Sequence, residues 1–200
     1  MLGQIGGAVL MLAFAAVPTV GQTIESAYTK FNTKNCKHAR GVDVESYGSW
    51  ECTGYAGLRV RLRAGDQRMF VSYGAWQEGD LARAQTFPGF NDVYQGTVEW
   101  RIEKAPDGKT HPFATILRWN VALPQDRDRA SVPMQPNGRV LVVTRLGPGG
   151  VCHVGYVDAR ANPAARALAR KIADERARQF RCGNDKRIVL GKVGGIEMPR

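Results

Sequence analysis

The chain has 200 residues and a formal net charge of +10, with 44% hydrophobic and 23% charged residues. This composition excludes a disordered or fibrous protein and supplies enough apolar side chains for a sizeable core. The positive charge predicts attraction to polyanions such as acidic glycans, anionic lipid or nucleic acid.

The amino terminus predicts an export signal. No charged side chain occurs before Glu25, and an apolar run covers residues 5–17. This run is shorter than the roughly 20 residues of a membrane span, and small residues precede a cleavage point after Gly21. We therefore expect residues 1–21 to be a signal peptide and residues 22–200 to be a single globular domain, periplasmic or secreted by a bacterium. The alternatives are an uncleaved anchor or a buried helix of the mature fold.

Four cysteines follow the predicted signal: Cys36, Cys52, Cys152 and Cys182. An even number suits disulfide bonds in an oxidising compartment. Three pairings are possible, and the spacing favours Cys36 with Cys52 and Cys152 with Cys182, because each pair lies within one local unit. A metal site is the alternative. Since the sequence has no C-x-x-C motif and no paired histidines, we expect no metal and no cofactor.

A hairpin is the clearest pattern of the amino-terminal half. The run LRVRLR at residues 58–63 alternates strictly, so its apolar side chains face one way and its arginines, Arg59, Arg61 and Arg63, face the other. Gly65 and Asp66 predict a turn, after which residues 68–73 return as the second strand. Residues 74–96 show no period and predict a long surface connection with a helical turn near residues 81–84.

Two further strands are predicted near residues 98–103 and 113–121, followed by a solvated linker at residues 123–138. Residues 139–146 and 151–158 then form a hairpin. Asn162 is expected to cap a helix that starts at Pro163, carries Leu168 and Ile172 on its apolar face, and stops at Gly183. Its polar side predicts three ion pairs: Arg170 with Asp174, Lys171 with Glu175, and Asp174 with Arg178.

Together these elements predict an α+β fold, an antiparallel sheet of about six strands with one long C-terminal helix packed on it and two disulfides. The segments WECTGY at residues 50–55 and CHVGY at residues 152–156, the latter followed by an arginine-rich helix, resemble those of small exported proteobacterial proteins. That resemblance implies export and no particular activity.

No catalytic motif emerges, and we expect no catalytic residue. Cys152 and His153 are adjacent, but neighbours on a strand point to opposite faces, so a disulfide cysteine and a surface histidine are expected. Glu99 and Glu103 share a strand face at about 13 Å, too far apart for a glycosidase pair. They are expected to pair with Arg101 or with the row Arg59, Arg61 and Arg63.

The arginine row suggests binding. Side chains two apart on a strand lie about 6.6–6.8 Å apart, and arginine grips phosphate or carboxylate in bidentate fashion. A solvated sheet face is the alternative. Among the tryptophans, Trp50, Trp100 and Trp119 are predicted to be core, whereas Trp76, on the long connection, is predicted to line a binding surface.

The predicted function is a non-enzymatic binding or interaction module of the bacterial envelope. The expected partner is an anionic envelope polymer or another envelope protein. Nucleic acid is disfavoured because an exported protein meets envelope polymers first, and no transmembrane segment is expected in the mature chain. The alternative function is a cell-wall hydrolase with an unrecognised carboxylate site.

Overall fold

Two β-sheets and one α-helix form the part of the chain that the structure, a computed structural model, describes: residues 23–41, 46–75, 78–124 and 136–199. In chain order the strands are β1 (Thr23–Asn32), β2 (Lys37–Ala39), β3 (Ser46–Thr53), β4 (Arg59–Gly65), β5 (Arg68–Tyr73), β6 (Asn91–Asp92), β7 (Gln95–Lys104), β8 (Thr110–Val121), β9 (Gly138–Arg145), β10 (Cys152–Asp158) and β11 (Ile188–Val189). The helix α1 (Ala165–Arg176) lies between β10 and β11. The predicted signal peptide, Trp76 and most of the predicted linker lie outside the described residues.

The strands form a larger sheet of seven and a smaller sheet of four. The larger sheet has the order β1-β7-β8-β9-β10-β11, with β6 also paired to β8, and the smaller has the order β2-β3-β4-β5. The predicted α+β fold with a C-terminal helix is confirmed. The strands, however, divide between two sheets, and the larger one is mixed, because the chain crosses over through α1 and returns with β11 parallel to β10.

The larger sheet is covered on both faces. α1 packs on one face through Ala169, Ile172 and Ala173, whereas the smaller sheet covers the other face. Trp100 and Trp119 are fully buried between the two sheets, as predicted. Trp50 is half-buried at the margin of this core. The result is three layers, a helix, a seven-stranded sheet and a four-stranded sheet.

Both predicted disulfides are confirmed. Cys36 is bonded to Cys52, which fastens the residue before β2 to β3. Cys152 is bonded to Cys182, which fastens β10 to the segment that follows α1. Each bond therefore joins elements that are already neighbours in a sheet or in the helix-to-sheet contact.

The start of α1 differs from the prediction. The helix begins at Ala165, and the Asn162 amide instead donates to the carbonyls of Asp158 and Lys192, at 2.9 and 2.7 Å. Asn162 thus anchors the carboxy-terminal segment, a tertiary role that overrides its capping preference. Of the three predicted ion pairs, Lys171 with Glu175 forms at 3.4 Å. The other two do not form side chain to side chain, because Arg170 and Asp174 turn to β7.

The predicted surface connection at residues 74–96 is wrong in part. Its one helical turn is present, as a 3-10 helix at Ala82–Ala84. Five of its described residues are nevertheless buried: Asp80, Ala82, Phe87, Asn91 and Val93. The segment packs against both sheets, which a pattern without periodicity could not reveal. Within the described residues, no helix has the length and apolar character needed to cross a bilayer.

Candidate anion-binding site

The outer face of the smaller sheet carries rows of polar side chains. Because residues alternate along β4, Val60 and Leu62 point into the core while the three predicted arginines point outward. The antiparallel register then sets the cross-strand neighbours: Glu51, Arg61 and Ser72 form one row, and Ser49, Arg63 and Phe70 form the next.

These two rows form the floor of a depression of about 220 Å³, which we call the arginine pocket. Its charged lining is Glu51, Arg61, Arg63 and Arg83. Among the described lining residues, three arginines and one glutamate therefore border the same concave surface. The arginines of the predicted row point outward, as expected. Arg83, which lies outside the sheet, also lines the pocket.

Two of the arginines are held by their neighbours across the strands. Arg61 is 15% exposed, and its Nε lies 3.4 Å from Glu51 Oε1. The guanidinium of Arg63 lies 4.5 Å from the centre of the Phe70 ring, a cation–π contact. Both groups are thus ordered before any ligand arrives, which lowers the entropic cost of binding.

Arg83 comes from the 3-10 turn beside β5, and the sequence analysis missed it. Ser72 Oγ donates to the Asp80 carboxylate at 2.7 Å, and the Ala82 amide donates to the Val151 carbonyl at 3.0 Å. The first contact docks the turn against β5 and the second fastens it to the residue before β10, and together they bring Arg83 to the pocket. The available signal was the predicted helical turn, but nothing in the sequence showed which strand it would meet.

The other two predicted binding residues are Arg59 and Trp76. Arg59 is exposed at the start of β4, opposite Thr53, and does not line the pocket. Trp76 lies outside the described residues. The pocket is therefore lined by Arg61 and Arg63 of the predicted row and by Arg83, which was not predicted, but not by Arg59.

The pocket is chemically suited to an anion. Guanidinium forks bind carboxylate, phosphate or sulfate oxygens in pairs. Arg61 is largely removed from solvent, so salt screens its field less than that of a fully exposed charge. The Ser72 hydroxyl already donates to Asp80, and no histidine is found among the described lining residues. The described lining thus offers cationic side chains that can bind an anion.

A second arginine cluster lies under α1, on the other side of the larger sheet. Glu99 on β7 is 1% exposed and accepts hydrogen bonds from Arg170 Nε at 2.6 Å and Arg166 Nη1 at 2.9 Å. Ser26 Oγ also donates to it, at 2.7 Å. Arg101 lies 3.8 Å from the same carboxylate. We call these residues, together with Asp174, the Glu99 network.

Arg101 completes the Glu99 network. Its Nε and Nη2 donate to the two oxygens of Asp174 at 2.8 and 2.7 Å, a bidentate pair that links β7 to α1. The expected pairing of Glu99 with Arg101 is confirmed. Pairing with the arginine row is wrong for Glu99, because β7 turns this residue towards α1 and not towards the smaller sheet.

The protonation of Glu99 follows from these contacts. Burial alone raises the pKa of its carboxyl, but the hydrogen bonds from Arg170 and Ser26 and the charges of Arg170 and Arg166 outweigh burial and hold the pKa below its ordinary value. Glu99 is therefore ionised at neutral pH and enclosed by cations. Such a carboxylate is poorly suited to donate a proton as the general acid of a hydrolase.

His153 is buried, contrary to the surface position expected for it. Cys152 faces α1 and His153 faces the smaller sheet, so the expected opposite orientation is right, but here both faces are covered. Its Nδ1 lies 3.1 Å from Tyr156 Oη. Burial, assisted by the charge of Arg187, lowers the pKa of His153 to about 3. The ring is thus neutral at physiological pH.

The chain matches no family model, no curated protein and no solved structure. Within the described ranges, no three His, Cys, Asp or Glu side chains converge on a point where a metal ion could bind. We therefore infer function from the geometry of the arginine pocket.

Proposed function

We propose that this protein is an exported, non-enzymatic binding module of the bacterial envelope that holds an anionic polymer in the arginine pocket. The observation that carries the proposal is that Arg61, Arg63 and Arg83 line one concave surface together with Glu51, the one carboxylate among its described lining residues. The two disulfides support export, because such bonds persist in oxidising compartments.

The surroundings of the pocket favour a polymer over a small anion. Arg59 continues the cationic row along β4, and Lys37 stands opposite Glu51 on the far side of β3, on the same outer face. Cations of the outer face thus lie on β2 and on β4, on either side of Glu51. Successive arginines on β4 lie about 6.7 Å apart, a spacing that suits repeated charges along a chain.

The test compares two triple variants of equal charge. Arg61→Gln/Arg63→Gln/Arg83→Gln removes the pocket cations. Arg118→Gln/Arg139→Gln/Lys192→Gln removes three exposed cations elsewhere, two of them on the α1 side of the larger sheet. Retention on immobilised alginate, a polyuronate, and on immobilised polyphosphate is measured across a salt series.

We expect the pocket variant to lose at least tenfold in affinity for both polymers at about 0.1 M salt, where exposed charges are screened over roughly 10 Å. The control variant should lose no more than about threefold, because only the long-range field changes. Equal losses in the two variants would mean that net charge alone drives binding and that the arginine pocket is not a specific binding site.

A further inference from the structure

The strand β1 forms an open edge of the larger sheet. All ten of its residues pair with β7 without a bulge, and none of them is proline or glycine. On its other side, β1 makes no backbone–backbone hydrogen bond with any part of the chain that the structure describes. The other outer strands are short or flanked: β2 has three residues, β6 and β11 have two each, and the backbone of Met69 on β5 bonds to the side chains of Thr86 and Asn91. A long, regular and uncovered edge strand is a template for pairing with another strand.

The hydrogen bonds at the end of β1 show which of its residues face outward. Thr33 N–H donates to the Tyr94 carbonyl at 2.9 Å, and this pair continues the register in which Asn32 is opposite Gln95. Because bonded and non-bonded pairs alternate in an antiparallel ladder, the odd-numbered residues of β1 exchange hydrogen bonds with β7. The backbone groups of the even-numbered residues therefore point to the open edge: Ile24, Ser26, Tyr28, Lys30 and Asn32.

These five outward residues can pair completely with those of a second copy of the chain. A two-fold axis perpendicular to the sheet makes the pairing antiparallel and places residues of the same face opposite each other. When Tyr28 lies opposite Tyr28 of the second copy, Ile24 pairs with Asn32 and Ser26 pairs with Lys30. This register forms about ten backbone hydrogen bonds, two per pair. Any other register leaves outward residues unpaired.

The side chains of β1 permit this register. Tyr28 is 51% exposed and would meet its counterpart across the axis as an aromatic cross-strand pair. Lys30 comes opposite Ser26, and Glu25 comes opposite Phe31. No like charges therefore face each other within the paired strands.

The charge of this edge favours a second copy of the chain over a polyanion. The charged residues of β1 are Glu25 and Lys30, which are of opposite sign, although the whole chain carries +10. Arg170, whose Nη2 donates to Tyr28 Oη at 2.9 Å, is paired with Glu99. Two copies can therefore approach along β1 without opposed net charge, whereas a polyanion meets no excess of cations on this strand.

We infer that β1 pairs antiparallel with β1 of a second copy, which joins the two larger sheets into one and forms a symmetric dimer. Because the axis is perpendicular to the sheet, both smaller sheets lie on the same side, and the two arginine pockets open on that side. A single polymer can then bridge both pockets, which raises its apparent affinity without any new contact. The pairing rests on β1, and only the bridging rests on the proposed function.

Cysteine substitution in the full exported chain tests the register. In the proposed dimer the Cα atoms of the two Tyr28 residues lie about 5.5 Å apart, which is within disulfide range, so Tyr28→Cys should oxidise to a covalent dimer. Lys30→Cys is the matched control, because the Cα atoms of the two Lys30 residues would lie roughly 14 Å apart. Non-reducing electrophoresis measures the cross-link, and peptide mapping checks that the native disulfides are intact. Equal cross-linking of the two variants, or none in Tyr28→Cys, would overturn the inference.

Sedimentation equilibrium tests the dimer itself. Lys30→Pro removes an outward N–H, and proline is tolerated on an edge strand where the N–H faces solvent. The dimer dissociation constant should rise at least tenfold in Lys30→Pro and less than twofold in Lys30→Gln, which loses the same charge but keeps the N–H. A monomeric parent, or equal dissociation of the two variants, would contradict the inference. Thermal unfolding checks both variants, and the cysteine pair decides if proline unfolds the protein.

Failure of the proposed function is distinguishable from failure of the dimer. The variant Arg61→Gln/Arg63→Gln/Arg83→Gln should remain dimeric, because no described β1 residue lines the arginine pocket. Unchanged polyanion retention in that variant would refute the pocket and leave the dimer intact. Bridging predicts that Lys30→Pro loses at least tenfold in affinity for long alginate and less than twofold for a short alginate oligomer. Equal losses for the two lengths would refute the bridging.

Discussion

The arginine pocket and the Glu99 network use the same residue type on opposite sides of the molecule. In the Glu99 network, arginines meet carboxylates that are buried or half-buried, Glu99 and Asp174. In the arginine pocket, Arg61 pairs with Glu51, and Arg63 and Arg83 line the same open depression. The number of arginines in a cluster therefore does not indicate its role. The burial of the carboxylates that pair with them determines whether the arginines stabilise the fold or bind a ligand.

The two regions should therefore respond to mutation in opposite ways. Removing one member of a buried ion pair leaves the other charge uncompensated and is strongly destabilising. Removing Arg63 or Arg83, which are exposed, should change stability little, because water already solvates such cations. We expect the Glu99 network to govern stability and the arginine pocket to govern binding.

The largest effect is expected for Glu99→Gln. The change keeps the shape of the side chain but leaves Arg101, which is also buried, without the nearby charge of Glu99. The cost should be about 3 kcal/mol, the lower end of the range for a broken buried pair, because Arg166 and Arg170 can turn to water. Urea unfolding measures it, and polyanion binding should stay unchanged.

Glu103→Gln is the control for that experiment, since Glu103 lies on the same strand but is only half-buried. Its expected cost is below about 0.5 kcal/mol. Similar costs for the two variants would contradict the assignment of Glu99 as the centre of a stabilising network.

The next largest effect is the pH dependence of the free energy of unfolding. It comes from His153, which is buried without an ionic partner among the described residues, whereas Glu99 is buried among cations. The pKa of His153 is about 3 in the folded protein and 6.5 ordinarily. Between these values the unfolded chain binds a proton that the folded protein does not. The free energy of unfolding should therefore fall by about 1.4 kcal/mol per pH unit as pH drops from 6.5 towards 3.

Glu99 contributes in a different window. Because its folded pKa is lowered, its stabilisation is complete above the ordinary value of 4.5 and is lost as pH falls through the lower folded value. Between pH 6.5 and 4.5 the slope thus reports His153. His153→Asn, which can still bond Tyr156, should flatten it, and His111→Asn, at an exposed position, should not. A parent protein with no slope in this window would refute the prediction.

Much of the fold could be predicted from local patterns. Strict alternation in β4 gave the hairpin and the outward arginines, and four-residue spacing gave the apolar face of α1. The disulfide pairs followed from their positions in local units. Two sheets were not predicted, because alternation assigns a face to each residue but does not say which strands share hydrogen bonds.

The candidate site was predicted only in part for the same reason. Arg61 and Arg63 belong to a local pattern, whereas Arg83 reaches them through tertiary contacts of Asp80 and Ala82 that have no sequence signature. His153 was expected at the surface because a two-layer sheet has a solvated face. The third layer, which covers that face, is a property of the whole chain.

The smallest expected effect tests whether the arginine pocket really contributes little to stability. In Arg63→Gln the protein loses the cation over Phe70, a contact worth about 0.5–1 kcal/mol at an exposed site. Arg63→Lys keeps a cation there, so its unfolding free energy should lie within about 0.5 kcal/mol of the parent. Binding should not follow stability. Arg63→Lys should weaken polyanion retention despite its equal charge, because lysine lacks the planar guanidinium fork. Urea unfolding and retention on alginate, measured on both variants, separate the two properties. A stability loss above about 2 kcal/mol in Arg63→Gln would place this arginine with Glu99 among the structural residues, and the contrast between the two regions would then disappear.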